Sequence, residues 1–179
     1  ELKDYAVDLG SDEKIIILDY EKKKYSATSN IQLLNTDIYP VYNKKNSSRI
    51  NTVVLESTNI AGVTLTKEIT LLDDTHQIAI RNTIKNNSTK SIDVRNYETI
   101  SRDDNNTASI MLPTYTGSAY YDEENKFSKL SFEDIIDNSQ TVKTQSSWIS
   151  MIEHYFFSAW LPTSSNKKTI YTSHNQDIY

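Results

Sequence analysis

The sequence has 179 residues, of which 37 % are hydrophobic and 24 % are charged, a balance that allows one domain with a buried core. Its formal net charge of −5 argues against nucleic-acid binding, which needs a basic face. Cysteine is absent, which excludes disulfides, a thiolate nucleophile and cysteine-based zinc sites. No apolar run approaches the roughly 18 residues that predict a membrane-spanning helix.

The predicted elements are almost all β-strands. In the first third of the chain, apolar and β-branched residues predict strands that are separated by polar segments. These strands fall at residues 14–20, 31–34 and 53–56, with loops at 39–40 and 43–48.

The clearest alternation runs from Val63 to Leu71, where apolar side chains and Lys67 share one face and threonines and a glutamate share the other. Residues 78–84 repeat the alternation, and the polar residues 86–89 predict a turn. A third strand is predicted at 92–96. Three strands joined by short turns predict an antiparallel meander with one solvated face.

Further along the chain the pattern is weaker. Residues 101–107 predict a charged loop, and residues 108–112 predict a strand that ends at a proline. The polar residues 122–129 fit either a helical turn or an exposed loop. Residues 130–136 fit a strand or a helix equally well, because their periodicity favours neither.

An aromatic segment, residues 147–162, contains both tryptophans of the chain. Its apolar residues fit a helical spacing and a strand spacing. Because β-branched and aromatic residues favour strands, we predict two consecutive strands with a kink near Glu153. Two indoles so close to a Tyr-Phe-Phe run also predict that this segment is packed in the interior of the fold.

This aromatic segment resembles a signature of the large periplasmic domain of the YidC family of bacterial membrane-protein insertases. The residues that carry the resemblance are Trp148, Met151, His154, Tyr155, Phe156, Ala159, Trp160 and Pro162. Residues 115–121 resemble the family's Tyr-X-Gly-X-X-Tyr segment, and residues 122–135 resemble its Glu-Lys-Tyr-X-Lys-X-X-Phe-X-X-Ile stretch. Ser147 and Ser150 depart from the family's glycine and alanine, but neither change removes a chemical group.

The resemblance implies an all-β fold, a β-super-sandwich similar to the galactose mutarotases, with antiparallel sheets and little helix. It implies that residues 1–179 form a single periplasmic β-sandwich domain, truncated at its C-terminal end because the family domain continues past Tyr179. The family's transmembrane core has no counterpart in this sequence, so contact with the membrane is expected only through those missing segments.

The resemblance further implies a location on the periplasmic side of the bacterial inner membrane. The expected function is that of a non-catalytic domain that assists the insertion and folding of inner-membrane proteins, with chaperone-like contacts. The implied partners are Sec translocon components, SecDF in particular, and nascent membrane proteins. Another hypothesis is that the domain is purely a structural spacer.

A carbohydrate-binding or mutarotase-like super-sandwich protein is the alternative, because such sites place a histidine and a glutamate at a sugar's anomeric carbon. The candidates here are His76, His154, His174 and Glu153. Glu153 and His154 are neighbours, and neighbours on a strand point to opposite faces, so they would not share a cleft. We therefore expect no catalytic residue, no cofactor and no metal site.

Tyrosine is unusually frequent, with 12 residues in the chain. Tyr115, Tyr120 and Tyr121 are candidate cleft or contact aromatics, since aromatic rings on one face of a sandwich can stack on sugars or on extended peptides. Ordinary sheet packing, in which tyrosine is favoured, explains them equally simply.

Overall fold

The structure, a computed structural model, describes residues 5–6, 17–20, 23–34, 36, 38–103, 114–144, 147–153, 155–161, 163, 168–174 and 178–179. The described elements are β1 (Tyr5–Ala6), β2 (Ile17–Tyr20), β3 (Lys23–Leu33), β4 (Asn43–Lys45), β5 (Thr52–Ile60), β6 (Val63–Leu71), β7 (Ile78–Asn86), β8 (Val94–Arg102), β9 (Thr116–Asp122), β10 (Lys126–Leu130), α1 (Phe132–Asp137), β11 (Thr141–Thr144), β12 (Trp148–Glu153), β13 (Phe156–Trp160) and β14 (Lys168–Tyr171).

The described strands form antiparallel sheets. Their orders are β1-β2-β3-β8, β4-β5-β6-β7, β10-β9-β12-β13 and β11-β14. The prediction of an all-β fold with antiparallel sheets and little helix is confirmed. Its closer description, a super-sandwich of the galactose-mutarotase type, stays a prediction.

The chain divides into two compact units. Unit 1 contains Glu1–Ala6, Ile16–Ala27 and Thr99–Tyr179, and unit 2 contains Val7–Ile15 and Thr28–Glu98.

Unit 2 is organised by strand β6. Its burial alternates as the sequence predicts, with Val63, Leu65 and Lys67 buried and the residues between them partly exposed. The strands β5 and β6 are joined by a tight turn in which Ile60 pairs with Val63. Gly62 in this turn has φ +74°, a left-handed conformation that only glycine adopts without strain.

The core of unit 2 is a small aliphatic cluster. It consists of Ile31, Leu33, Ile60, Val63 and Leu65, with Tyr42, Ile84 and Ile92 packed against it. This cluster lies on the inward face of the alternation, because inward residues of β6 recur at every second position.

Unit 1 combines the sheet β10-β9-β12-β13 with helix α1. Ser131 caps the helix: its hydroxyl accepts a hydrogen bond from Asp134 N at 3.1 Å, and the Asp134 carboxylate accepts one from Ser131 N at 2.8 Å. These two bonds satisfy backbone donors that the first turn leaves free. The helix thereby buries Phe132 and Ile135 against Met151 of β12.

Several sequence-based expectations need correction. The turn at 86–89 is confirmed, and the strand at 78–84 forms as β7, but the strand predicted at 92–96 does not extend the meander. It forms as β8 and belongs to the sheet of β3, because local sequence sets a strand but not its partner. The loop predicted at 43–48 contains β4.

The structure also shows the secondary structure of two of the three weakly patterned segments. Residues 122–129 contain a turn followed by β10, and not a helical turn or a loop throughout. Residues 130–136, for which strand and helix were both open, supply the last residue of β10 and most of helix α1. The predicted strand at 108–112 lies outside the described residues.

Candidate functional site

The aromatic segment folds as a hairpin of β12 and β13. The two strands pair antiparallel, with Ile149 opposite Trp160, Met151 opposite Ser158 and Glu153 opposite Phe156. The prediction of two consecutive strands is confirmed, but after Glu153 the chain reverses to form a hairpin, where only a kink was predicted. β12 also pairs with β9, so β13 is the outer strand of this sheet among the described strands.

One face of the hairpin is the core face of unit 1. Met151 is 5 % exposed and contacts the Phe132 and Ile135 side chains. Trp160 lies on the same face as Met151, because its partner Ile149 is two residues away from Met151 along β12. The Trp160 indole Nε1 donates a hydrogen bond to the carbonyl oxygen of Thr99 at 3.0 Å, which satisfies the polar end of this large side chain.

The other face carries a row of three rings across three strands. Phe127 stands opposite Tyr121, and Tyr121 stands opposite Trp148. The Tyr121 and Trp148 ring centroids are 6.3 Å apart with planes at 16°, and those of Phe127 and Trp148 are 5.9 Å apart at 39°. We call Phe127, Tyr121 and Trp148 the aromatic row; it is partly accessible, since Phe127 is 49 % exposed.

The turn end of the hairpin is exposed, which corrects the prediction that the whole segment is packed inside. Tyr155, Phe156 and Phe157 are 81 %, 77 % and 73 % exposed, and we call them the aromatic tip. The prediction was wrong for these residues because a high aromatic content indicates a strand but does not indicate which end of that strand is exposed to solvent. His154 and Pro162, two further signature residues, lie outside the described residues.

The three candidate contact tyrosines have different environments. Tyr115 Oη lies 2.5 Å from the Ser118 carbonyl oxygen and 2.8 Å from that of Leu130. Burial, with a smaller contribution from the nearby Asp134 carboxylate, raises the pKa of Tyr115 to about 12. Tyr120 is 9 % exposed, so its ring is part of the packing, whereas Tyr121 belongs to the aromatic row.

Gly117 explains the spacing of the Tyr-X-Gly-X-X-Tyr segment. A Cβ atom on Gly117 would lie 2.6 Å from Tyr115 Oη, so the tyrosine can pack here only against a glycine. The Lys129 ammonium lies 4.6 Å from the centroid of the Tyr115 ring, within the range of a cation–π interaction. This segment therefore has a packing role at one end of β9.

The acidic candidate Glu153 faces a buried arginine. Its carboxylate oxygen Oε2 lies 3.4 Å from Nη1 of Arg102, which is 2 % exposed. Tyr25 lies in the same surroundings, and burial raises its pKa above the usual value. A carboxylate that balances a buried guanidinium is held in place as a structural counter-charge.

The described histidines are not part of any acid–base pair with Glu153. His76 is an exposed residue of the turn between β6 and β7. The His174 ring stacks on Tyr179, with centroids 6.1 Å apart. Within the described residues, no group of three or more His, Cys, Asp or Glu side chains could hold a metal ion.

Unit 1 also contains a cavity of about 210 Å³. Its apolar lining includes Ile100, Ile135, Ile149, Met151, Ile170 and Ile178. Two serines at its wall are already bonded: Ser101 Oγ lies 2.7 Å from Ser26 Oγ, and Ser118 Oγ donates to the Leu130 carbonyl at 3.1 Å. The cavity exceeds the roughly 150 Å³ that holds a benzene molecule, so it could hold one apolar side chain. This cavity could not be predicted from the sequence, because the residues that line it come from elements distant in the chain.

Comparison with known proteins decides the family. The family model described as the YidC periplasmic domain matches residues 1–179. The chain belongs to the YidC periplasmic domain family. In the part of this YidC periplasmic domain that the structure describes, no helix is both long and apolar enough to cross a membrane.

Curated relatives agree with the family match. The chain is 34 % identical over 116 residues to the membrane protein insertase YidC of Haemophilus ducreyi, covering 64 % of this chain and 22 % of the relative. It is 35 % identical over 113 residues to that of Shewanella loihica, covering 63 % and 21 %. For Methylobacillus flagellatus the values are 35 % over 117 residues, 65 % and 21 %. The chain thus spans about a fifth of the length of these relatives.

Two buried cationic side chains of this YidC periplasmic domain were not predicted from the sequence. Arg102 is buried beside the Phe132 ring, at 5.7 Å from its centroid, although arginine is rarely so enclosed. Lys67 is 1 % exposed and donates to the Ser29 carbonyl oxygen. A lysine at an inward position of an alternating strand was the available signal for the second.

Proposed function

We propose that this chain is a non-catalytic periplasmic module of a YidC-type membrane-protein insertase, on the periplasmic side of the bacterial inner membrane. It assists the insertion and folding of inner-membrane proteins through contacts with substrates and with translocon partners such as SecDF. In this proposal residues 1–179 are part of one periplasmic domain of the super-sandwich type, and the membrane is reached only through other segments of the parent protein.

One observation carries the proposal: the aromatic tip of a family-signature hairpin is exposed to solvent. Tyr155, Phe156 and Phe157 are each more than 70 % exposed. Neighbouring exposed apolar side chains mark surfaces that bind other molecules, because leaving them in water is unfavourable. The tip is held by β12, which is fixed to the unit 1 core through Met151.

The proposal of a non-catalytic role is supported by the environment of the acidic candidate. Glu153 lies against Arg102, whereas a general base needs a group within reach of a substrate proton. The relatives are named as membrane protein insertases, and a contact surface serves such a protein without bond making or breaking.

Photocrosslinking from the tip tests this proposal. A photoreactive amino acid replaces Phe157 in the parent protein in living cells, and the control places it at Leu71, an apolar residue of unit 2 that is 58 % exposed. We expect the Phe157 probe to crosslink to a nascent membrane protein or to SecDF at least several-fold more than the Leu71 probe. Equal yields, or adducts to neither partner, would contradict the proposal.

A second candidate, carbohydrate binding, is favoured by the aromatic row. Three partly accessible rings across one sheet face form a platform on which a sugar ring could stack. The tryptophan fluorescence of a Trp160→Phe variant, which retains Trp148 alone, would report this. A saturable change on titration with hexoses, lost in the Tyr121→Ala variant, would favour the second candidate over the first.

A further inference from the structure

Among the described edge strands that have three or more residues, all but one carry basic side chains. Apart from the buried Arg102 of β8, the basic residues are Lys44 and Lys45 in β4, Arg81 and Lys85 in β7, Arg95 in β8, Lys126 and Lys129 in β10, Lys143 in β11 and Lys168 in β14. Charged side chains on an edge prevent it from pairing with another chain, because the partner strand would have to bury them.

The exception is β13. Its sequence, Phe-Phe-Ser-Ala-Trp, contains no charge and no proline. It pairs with β12, and no other described strand pairs with it. Phe156, Phe157 and Ser158 are all exposed. Among the described strands, this edge therefore combines an unpaired side with apolar side chains, which is the arrangement that natural sheets otherwise avoid.

We propose that the β13 edge is a site of strand addition for an extended, uncharged, apolar segment of a substrate polypeptide. The inference rests on the proposed function and deepens it by naming the class of segment that is bound. In this mode, main-chain hydrogen bonds to the edge give affinity, and side chains alternating along the partner give preference. Phe156 and Phe157 are neighbours on the strand and point to opposite faces, so each provides an apolar contact for one side of the added strand.

The chemistry of the edge selects the occupant. With no charged residue, β13 offers no ion pair to a charged segment, whereas its two phenylalanines favour apolar side chains. The strand is only five residues long. Stable interfaces between folded proteins need roughly 20–30 residues a side, so a short extended segment fits this edge better than a second folded copy of the chain.

Peptide binding to the full 179-residue chain tests the inference. The probe is a fluorescently labelled, uncharged ten-residue peptide of alternating valine and threonine, and binding is followed by anisotropy. The matched probe has the same sequence with alternate amides N-methylated, which removes donors along one side of the peptide. We expect the N-methylated probe to bind at least tenfold more weakly, since strand addition depends on those main-chain bonds.

Two protein variants locate the binding site. Phe157→Lys places on β13 the kind of charge that the other edges carry, and we expect it to weaken binding at least tenfold. Leu71→Lys changes an apolar residue of unit 2 that is 58 % exposed, and we expect less than a twofold effect. The urea midpoint of each variant reports its folding, and the comparison of the two peptides needs only the unaltered chain.

The outcomes separate the alternatives. No binding, equal binding of both peptides, or equal loss in the two variants would overturn strand addition. A dimer in sedimentation that dissociates in Phe157→Lys would also overturn it, because the edge would then pair with a second copy. None of these results contradicts the insertase role itself, which depends on whether the Phe157 probe crosslinks to nascent membrane proteins or SecDF in cells.

Discussion

The phenol of Tyr115 occupies the space that a side chain on Gly117 would need. A Cβ atom on Gly117 would stand 2.6 Å from Tyr115 Oη and 2.9 Å from its Cζ, well inside the roughly 3.5–4.0 Å at which non-bonded carbon atoms attract. The glycine is therefore required by contact with a ring two residues away, and its backbone angle is not among the left-handed ones.

Gly117→Ala is expected to lower the free energy of unfolding by about 1–3 kcal/mol, the usual cost of overpacking. In a chain that already carries Tyr115→Ala the same change should cost less than half as much, because the ring is gone. Urea denaturation of the two single variants and the double variant gives the coupling between the positions. Strict additivity would show that the Tyr115 ring is not the obstacle.

Tyr115 should also make the protein sensitive to alkali. Its pKa in the folded chain is raised from 10.0 to about 12. Between these values the unfolded chain has released the proton and the folded chain still holds it, so the free energy of unfolding falls as the pH rises. The contribution is complete below pH 10 and is lost by about pH 12.

Urea unfolding at a series of pH values from 9 to 12, roughly, would measure this slope in the parent chain and in Tyr115→Phe. We expect the slope to be shallower in the variant. Some slope should remain, because burial also raises the pKa of Tyr25. Identical slopes in the two proteins would place the alkaline sensitivity elsewhere.

The two faces of the aromatic hairpin should differ in their importance for stability. Trp148 stacks on Tyr121 and Phe127, so Trp148→Ala should cost about 2 kcal/mol, less than the roughly 3–5 kcal/mol of a fully buried tryptophan. Phe157 is 73 % exposed, and Phe157→Ala should change stability by less than about 0.5 kcal/mol. Thermal or urea unfolding of both variants would show it; equal losses would mean that the tip is packed in solution.

Lys67 provides a test of how unit 2 holds a buried cation. Its ammonium bonds to the Ser29 carbonyl, lies 3.4 Å from Asn30 Oδ1 and lies 5.0 Å from the Tyr42 ring centroid. Lys67→Ala should cost about 3 kcal/mol because it leaves a cavity. Lys67→Met should cost less, since it keeps the apolar stem and removes the need to bury a charge.

The control for this pair is Lys85→Ala, at an exposed position of β7, which should be neutral within about 0.5 kcal/mol. Urea denaturation at neutral pH measures all three variants. If Lys67→Met proved as costly as Lys67→Ala, the hydrogen bonds of the ammonium would outweigh the packing of its stem.

How far the sequence predicts this fold depends on the range of the interactions. Strand β6 has the predicted bounds, Val63 to Leu71, because its sequence keeps a period of two over nine residues, although burial on that face reaches only from Val63 to Lys67. Helix α1 has only six residues, too few for a helical period to show. Its signal was the capping pair Ser131 and Asp134, and this signal precedes a segment that also fits a strand.

The pairing of strands and the exposure of side chains could not be predicted from a single sequence. A pairing of β8 with β7 would be local, as the meander predicts, whereas its actual partner β3 is distant in sequence, and no local pattern indicates that partner. The aromatic tip has the same composition as a buried strand, and only the hairpin geometry brings it into solvent. The family resemblance identified the signature hairpin, but the burial of each ring had to come from the structure.

The pairing of β9 with β12 fixes the length of the tryptophan-containing segment. Trp148 stands opposite Tyr121, and Met151 stands opposite Ser118. One residue inserted between Trp148 and Met151 would therefore turn each later side chain of β12 to the opposite face of the sheet. Two inserted residues would restore the sides and strain only the spacing. Homologous sequences should accordingly vary here by substitution, and engineered tags or epitopes will be tolerated only outside these strands.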